Sequence, residues 1–228
     1  MVNKLEPEIT DCEQGENWTR ITFKPDLAKF NLTHLEEDVV ALMKKRVIDV
    51  AATLGESVNV MFDGQRVLVK NFSYYVDWHI MSASKKRLVE LPRICEKLND
   101  QWEVSFVNGI ATTRGGSHVD YVANKIATHV AHVVNDKKSK NIHAEVHDVK
   151  RHLWLFVNAR IQNPTFDSQT KNFLTTPYES FGSNCDFSNV FLDKVVNSGV
   201  VRNMLLYPGF MCTSKEAILR KKGGGGDN

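Results

Sequence analysis

The chain has 228 residues, 42% hydrophobic and 25% charged, an ordinary globular composition and enough length to bury a core without covalent staples. A net charge of +2 gives no global polyanion-binding signature, so any nucleic-acid contact has to come from a local patch. No apolar run is long enough for a membrane-spanning helix, Met1–Glu8 has no apolar leader, and Cys12, Cys95, Cys185 and Cys212 are too scattered for a disulfide framework or a CxxC zinc site.

Residues 18–24 alternate in polarity and predict a strand that Pro25-Asp26 breaks. Thr33-x-x-Glu36 reads as a capping box. Behind it Val40, Met43, Val47, Val50 and Leu54 recur at helical spacing, and Gly55 follows as a C-terminal cap, which predicts a helix over 34–54. Val58–Val69 holds two short strand-like runs around Asp63-Gly64, a hairpin dipeptide. Phe72–Met81 is aromatic and reads as helical, Ser82–Asp100 as a polar irregular connection, and Trp102–Val107 as a strand. Gly115-Gly116 leads into Ser117-x-x-Asp120, a second capping pattern. The stripe Val119, Val122, Ala123, Ile126, Val130 and Val133 then predicts a helix over 117–134. A strand over 152–160 follows, then a polar loop, then a helix over 187–198 ended by Gly199. The pattern ends near Tyr207, and the basic, Gly-rich stretch after Lys215 is expected to be disordered. Strands, a hairpin and amphipathic helices in this order predict an α+β protein, a two-layer α/β sandwich with helices packed on a mixed sheet. The boundaries are a lead-in over 1–16, one domain over 17–206 and a tail over 207–228.

Three segments bear on function. The loop Asn163–Lys171 follows the apolar run Leu153–Val157 and closes on Gln169-Thr170-Lys171, which offers an amide, a hydroxyl and an ammonium to a phosphate. On spacing alone a solvated loop is the plainer reading. Lys137, Lys138 and Lys140 follow the 117–134 helix, where they complement its macrodipole or contact a DNA backbone. Gly115-Gly116 before a helix could cradle an anion, but it lacks the dinucleotide and P-loop spacings and fits a tight turn. His129/His132 and His143/His147 have no cysteine or carboxylate cluster to complete a metal site, so none is expected. No nucleophile elbow or triad is present. The N-x-S/T sequons at Asn17, Asn31 and Asn71 read as chance matches.

The string Asn163-Pro164-Thr165-Phe166-Asp167-Ser168-Gln169-Thr170-Lys171 resembles a signature of the eukaryotic ATP-dependent type II DNA topoisomerases. The likeness extends to Asn17–Leu27, to Asp38–Met43, and to Phe106–Thr112 followed by Gly115–Val122, whose Gly-Gly-x-His core is also similar to bacterial gyrase B. It covers about residues 5–206 in the family's order, with wording similar to plant versions.

The resemblance implies the transducer domain, with the ribosomal-protein-like fold that links a GHKL ATP-binding module to a DNA-cleaving core. It implies that Gln169, Thr170 and Lys171 reach the ATP site of the adjoining module, with Lys171 on the terminal phosphate, and that loss of this contact lets the domain rotate. It implies double-stranded DNA as a partner, met through Lys137, Lys138 and Lys140, although Asn135 and Asp136 stand where lysines are often found. Homodimerisation, nuclear localisation and Mg²⁺ are implied for the full enzyme, and membrane association is not. The family carries a longer hairpin between Val104 and Ser105 than this chain does. The chain is expected to lack the nucleotide-binding and cleavage modules and to be inactive by itself. The alternative is a non-catalytic, stand-alone fragment that binds DNA or a topoisomerase subunit.

Overall fold

A computed structural model describes residues 7–11, 15, 17–87, 93–107, 110–136 and 143–207, with 86, 87, 104–107, 110 and 111 described by backbone alone. The chain divides into two compact units, Met1–Val40 and Ala41–Asn228.

In the first unit the strand expected over 18–24 does not form. Its apolar residues Trp18, Ile21 and Phe23 are 73%, 83% and 65% exposed. Alternation drives pairing only where one face of the strand is buried against a sheet, and here it is not. The chain makes a 3-10 turn at Leu27–Phe30, which Asn31 ends in the left-handed conformation (φ 55) while its N–H donates to the Ala28 carbonyl.

Helix α1 spans Glu37–Leu54, three residues shorter at its start than the spacing predicts. Thr33 does not cap it, because its hydroxyl bonds the His34 ring instead (3.1 Å). Gly55 has φ +68, the left-handed geometry that ends a helix at no steric cost in glycine. The hairpin forms as expected. β1 (Met61–Phe62) and β2 (Gln65–Arg66) pair antiparallel around Asp63 and Gly64, both at positive φ.

Helix α2 runs over Phe72–Arg87, so the first part of the expected irregular connection is helical. Asn71 starts it, its side chain accepting from the Tyr74 N–H at 2.9 Å. Phe72, Tyr75 and Val76 pack with Ala51, Ala52 and Val69 into a small core shared by α1, the hairpin and α2. At its edge buried Asp49 accepts from Lys45 (2.7 Å) and from the Tyr75 hydroxyl (2.8 Å). Burial beside that carboxylate pushes the Tyr75 phenol up from its ordinary value.

The main sheet has β4 (Ile110–Ala111), β3 (Trp102–Val107) and β5 (Val157–Ala159) in that order, with β3 antiparallel to β4 and parallel to β5. Residues 105–107 pair in step with 157–159, but Trp102 and Val104 oppose Ala159 and Val157 in the reverse sense. The register therefore breaks between 102 and 105. The strand expected over 152–160 pairs only at 157–159, and Leu153–Phe156 have no ladder partner among the described residues.

Helix α3 (Ser117–Asp136) lays Val122, Ile126, Ala127, Val130 and Val134 into the main core with Trp102, Val149, Val157 and Ala159. The short helix α4 (Val146–Lys150), absent from the sequence reading, is closed by the Asp148 carboxylate accepting from the Glu145 N–H. Gly199 kinks rather than ends the last helical region. α5 (Asn189–Val195), capped by Ser188, passes through a π turn over Val196–Val200 into α6 (Val201–Leu206). The chain resumes a helix because Val200 and Met204 continue the buried face that Val195 begins. The expected disordered tail after Tyr207 lies outside the described residues.

The N-terminus of α3 is not closed by Ser117. Gly116 takes that place, its carbonyl accepting from the Val119 and Asp120 N–H groups. At φ +137 a Cβ built on Gly116 would stand 2.5 Å from the Leu174 nitrogen, a backbone atom that cannot give way. Gly116→Ala is therefore expected to destabilise the fold by about 3 kcal/mol or more through clash and strain together. Urea unfolding followed by circular dichroism checks it, and a loss under about 1 kcal/mol would contradict the geometry.

Candidate functional site

The polar loop after β5 is an ordered, two-armed structure. Its arms, 165–167 and 173–175, are joined by Thr175 N–H to the Thr165 carbonyl (2.9 Å), Asp167 N–H to the Phe173 carbonyl (3.2 Å) and an antiparallel bridge between Phe166 and Leu174. Thr176 is buried and its hydroxyl accepts from the Thr165 N–H at 2.8 Å. The outgoing arm also docks on the start of α3, where Ser117 N–H donates to the Leu174 carbonyl and Leu174 N–H to the Gly115 carbonyl. Leu174 is fully buried, so one side chain anchors the arm in the main core.

At the tip, Lys171 N–H closes a turn on the Ser168 carbonyl (3.0 Å) and Lys171 itself has φ +57. The Ser168 and Thr170 hydroxyls bond each other at 2.9 Å. Asn172 gathers the rest. Its Nδ2 donates to Thr170 (3.2 Å), its Oδ1 accepts from Arg46 of α1 (3.1 Å), and its carbonyl accepts from the Arg114 N–H (3.0 Å). The Arg114 side chain pairs with Asp167 at 3.3 Å. With the arms and the tip both braced, Lys171 and Gln169 remain outside the bonding. Among the described residues neither side chain makes a hydrogen bond or ion pair, and the Lys171 ammonium lies 5.7 Å from the centre of the Phe166 ring. Thr170, by contrast, spends its hydroxyl inside the loop. An ammonium and an amide presented on a fixed loop can meet anionic oxygens of a ligand without first breaking an internal bond.

The Gly-Gly-x-His segment is structural here. His118 is fully buried, its Nε2 shares a 3.2 Å hydrogen bond with the Thr112 hydroxyl, and its Nδ1 has no partner among the described residues. Burial lowers its pKa to about 4, against a smaller opposing pull from Asp120, so the ring is neutral at physiological pH. His79, between Tyr75 and Phe156, is also lowered, by burial and then by Lys45.

The basic run Lys137, Lys138 and Lys140 lies outside the described residues. What flanks it is built firmly. Asn135, near the end of α3, both donates to the Ala144 carbonyl (3.0 Å) and accepts from its N–H (2.9 Å), tying the end of α3 to the residue just before Glu145, where α4 begins its turn. His132 pairs with Asp136 (3.1 Å), and no group of three or more metal-ligating side chains converges among the described residues. Cys185 is buried, which pushes its thiol up to about 12, and Cys95 is free and exposed. Sequence reasoning missed Arg46, Arg114 and Asn172. Arg114 stood next to the Gly-Gly turn and was within reach, but nothing local ties Arg46 to a residue 126 positions away.

A family model described as DNA gyrase B matches residues 81–200, more than half of the chain. The chain belongs to the DNA gyrase B family. Within that family it falls with the eukaryotic type II DNA topoisomerases, and the plant proteins stand high among its relatives. It is 53% identical to DNA topoisomerase 2 of Arabidopsis thaliana over 92% of its length, but spans only 15% of that protein. The ATPase region of Saccharomyces cerevisiae topoisomerase II superposes with a TM-score of 0.69 at 31% identity, covering 80% of this chain and 48% of that one. The ATPase and transducer domains of Balamuthia mandrillaris topoisomerase II superpose at 0.63 and 30% identity, covering 87% and 49%. The α+β fold read from the sequence is thus the fold of these proteins.

The buried histidine gives this domain an acid limit. The unfolded chain binds a proton at His118 below its ordinary pKa of 6.5, while the folded chain refuses it until about 4. Its contribution is therefore complete above pH 6.5 and is lost as pH falls toward 4, on the order of 3 kcal/mol in all, with His79 adding in the same sense. Denaturant midpoints measured across that window should fall in the wild type and fall less in His118→Gln; parallel curves would exclude the histidine as the cause.

Proposed function

We propose that this segment is the transducer of an ATP-hydrolysing type II DNA topoisomerase, and that its braced loop completes an ATP site in the adjoining nucleotide-binding module. The observation that carries this reading is the tip of the loop. Two phosphate-binding side chains, Gln169 and Lys171, are left free while every neighbour is engaged in holding them out. A compact ammonium at that place suits the terminal phosphate, where negative charge gathers as the phosphoryl group leaves, and its donors require no reorganisation. Thr170 has the role of shaping the tip, since its hydroxyl is already bonded on two sides. In the whole enzyme ATP would supply the phosphoryl group and Mg²⁺ would offset its charge, while Gln169 and Lys171 of this segment would orient and sense it.

The two arms suit the segment to pass that signal on. The incoming arm leaves β5 and the outgoing arm lies against α3, so a pull on the tip loads both the sheet and the longest helix of the core. The far end of α3 leads into Lys137, Lys138 and Lys140, for which we propose contact with the backbone of double-stranded DNA. Work as a homodimer in the nucleus, with a DNA-cleaving core beyond this segment, belongs to the same proposal.

In an enzyme that joins this segment to its nucleotide-binding module, Lys171→Ala should lower ATP turnover at least about 100-fold. Folding stability should change by no more than about 1 kcal/mol, because the side chain makes no hydrogen bond or ion pair and loses only its contact with the Phe166 ring. Comparable losses of turnover and stability would assign Lys171 a structural role. For the DNA contact, affinity for a non-specific duplex should fall steeply with salt. Replacing Lys137, Lys138 and Lys140 by Gln should reduce the slope of log K against log salt by up to about 3. An unchanged slope would remove these lysines from the interface.

A further inference from the structure

We propose that Arg46 of α1 is a positioning residue for the Lys171 ammonium, acting through the side chain of Asn172, 126 positions away in sequence. The role presupposes that the loop meets ATP, and it adds the residue that sets the loop's geometry. Lys171 has φ +57, in the left-handed region that costs free energy for a residue with a Cβ and is kept only where neighbouring bonds hold it. On one side the hold is a turn, in which the Lys171 N–H donates to the Ser168 carbonyl at 3.0 Å. On the other side the hold is Asn172. Its carbonyl accepts from the Arg114 N–H (3.0 Å), and its side-chain amide lies between Thr170 (3.2 Å) and Arg46 (3.1 Å).

Arg46 decides which way that amide faces. A guanidinium has donors only, so it takes the Oδ1 of Asn172 and leaves the Nδ2 for the Thr170 hydroxyl, which accepts. The Thr170 hydroxyl suits either end of the amide, and Arg114 N–H meets only the Asn172 backbone, so neither fixes the side chain. Arg46, Lys171 and Asn172 are each half-buried, which strengthens a bond from a charged donor relative to one in open water. The residues on either side of Lys171 are thereby bonded to each other, Asn172 to Thr170, across a lysine whose backbone is the strained member. Without Arg46 the amide turns freely and this brace loosens. A return of Lys171 to an ordinary negative φ is a rotation of about 100° or more, and it aims the ammonium elsewhere. The remaining braces act lower on the loop. Arg114 pairs with Asp167 on the incoming arm, and Gly116 lies against Leu174 on the outgoing arm. Among the described bonds to side chains at the tip, that of Arg46 is the one that arrives from another element.

The test has two parts. In the chain itself, followed by hydrogen exchange in NMR spectra, Arg46→Ala should speed exchange of the Lys171 amide at least about fivefold and leave the amides of Ile126 and Val130 in α3 unchanged. In an enzyme that joins this segment to its nucleotide-binding module, Arg46→Ala should lower kcat for ATP at least about tenfold while KM changes less than about threefold, because the ammonium is misplaced and the rest of the nucleotide site is not. Arg46→Lys, which keeps a cation that only donates, should recover most of the loss. Asn172→Ala should match Arg46→Ala, and the two together should lose no more than either alone. In a Lys171→Ala background, Arg46→Ala should cost less than about twofold. Unchanged exchange at Lys171 would overturn the proposal, as would a loss of turnover from Arg46→Ala that is as large without Lys171 as with it. Full turnover in Lys171→Ala alone would instead bring down the ATP contact, and the positioning role with it, whatever the exchange shows. If Arg46→Ala fails to fold, Asn172→Ala at the loop tip carries the same comparisons.

Discussion

The contact on which the site depends is the approach of Gly116 to the backbone of Leu174. Two hydrogen bonds cross there, Ser117 to the Leu174 carbonyl and Leu174 to the Gly115 carbonyl, and they need the chains closer than any Cβ permits. The contact joins three things at once: the start of the longest helix, the outgoing arm of the polar loop, and a fully buried leucine in the main core. A glycine is required for a double reason, since φ +137 is strained for any L side chain and the space is already filled. His118 lies two residues on, buried and neutral, so the whole Gly-Gly-x-His stretch reads as the mount of the loop and not as chemistry.

From that mount outward, the loop shows how a surface segment is made rigid without a core of its own. Hydroxyl-to-backbone and carboxylate-to-guanidinium bonds replace apolar packing, and each brace comes from a different part of the chain: Arg46 from α1, Arg114 from the turn before α3, Asn172 from the loop itself. The bonds are individually worth about 1 kcal/mol or less, the largely exposed Arg114–Asp167 pair being screened by solvent. Together they fix the tip before any ligand arrives, so that a ligand of the kind proposed would be spared the entropy of ordering it. This is why the free side chains matter more than the bonded ones.

The sheet is the opposite case, an element left incomplete. The apolar run Leu153–Val157 has the composition of a full strand, yet only Val157–Ala159 pair, because a strand is defined by its neighbour and β3 shifts its register between Trp102 and Ser105 instead of running on beside 154–156. The same reason explains the failed strand at 18–24, whose apolar residues stay in solvent. Helices erred less. These helices carry their own hydrogen bonds, so a periodic stripe and a flanking glycine came close to placing α1 and α3, an aromatic run placed the start of α2, and the errors were a late start at Glu37 and a late end at Arg87.

The sequence by itself determined the family, the α+β class and the Asp63-Gly64 hairpin, because these reside in local strings and in periodicities that a single segment expresses. It pointed to Gln169, Thr170 and Lys171 as a set but could not separate them. Only the tertiary structure divided the set, engaging Thr170 and leaving Gln169 and Lys171 free, and only it brought Arg46 to Asn172 and set Gly116 against Leu174. Those are contacts between residues far apart in the chain, and no short-range pattern encodes them because their partners are chosen by packing.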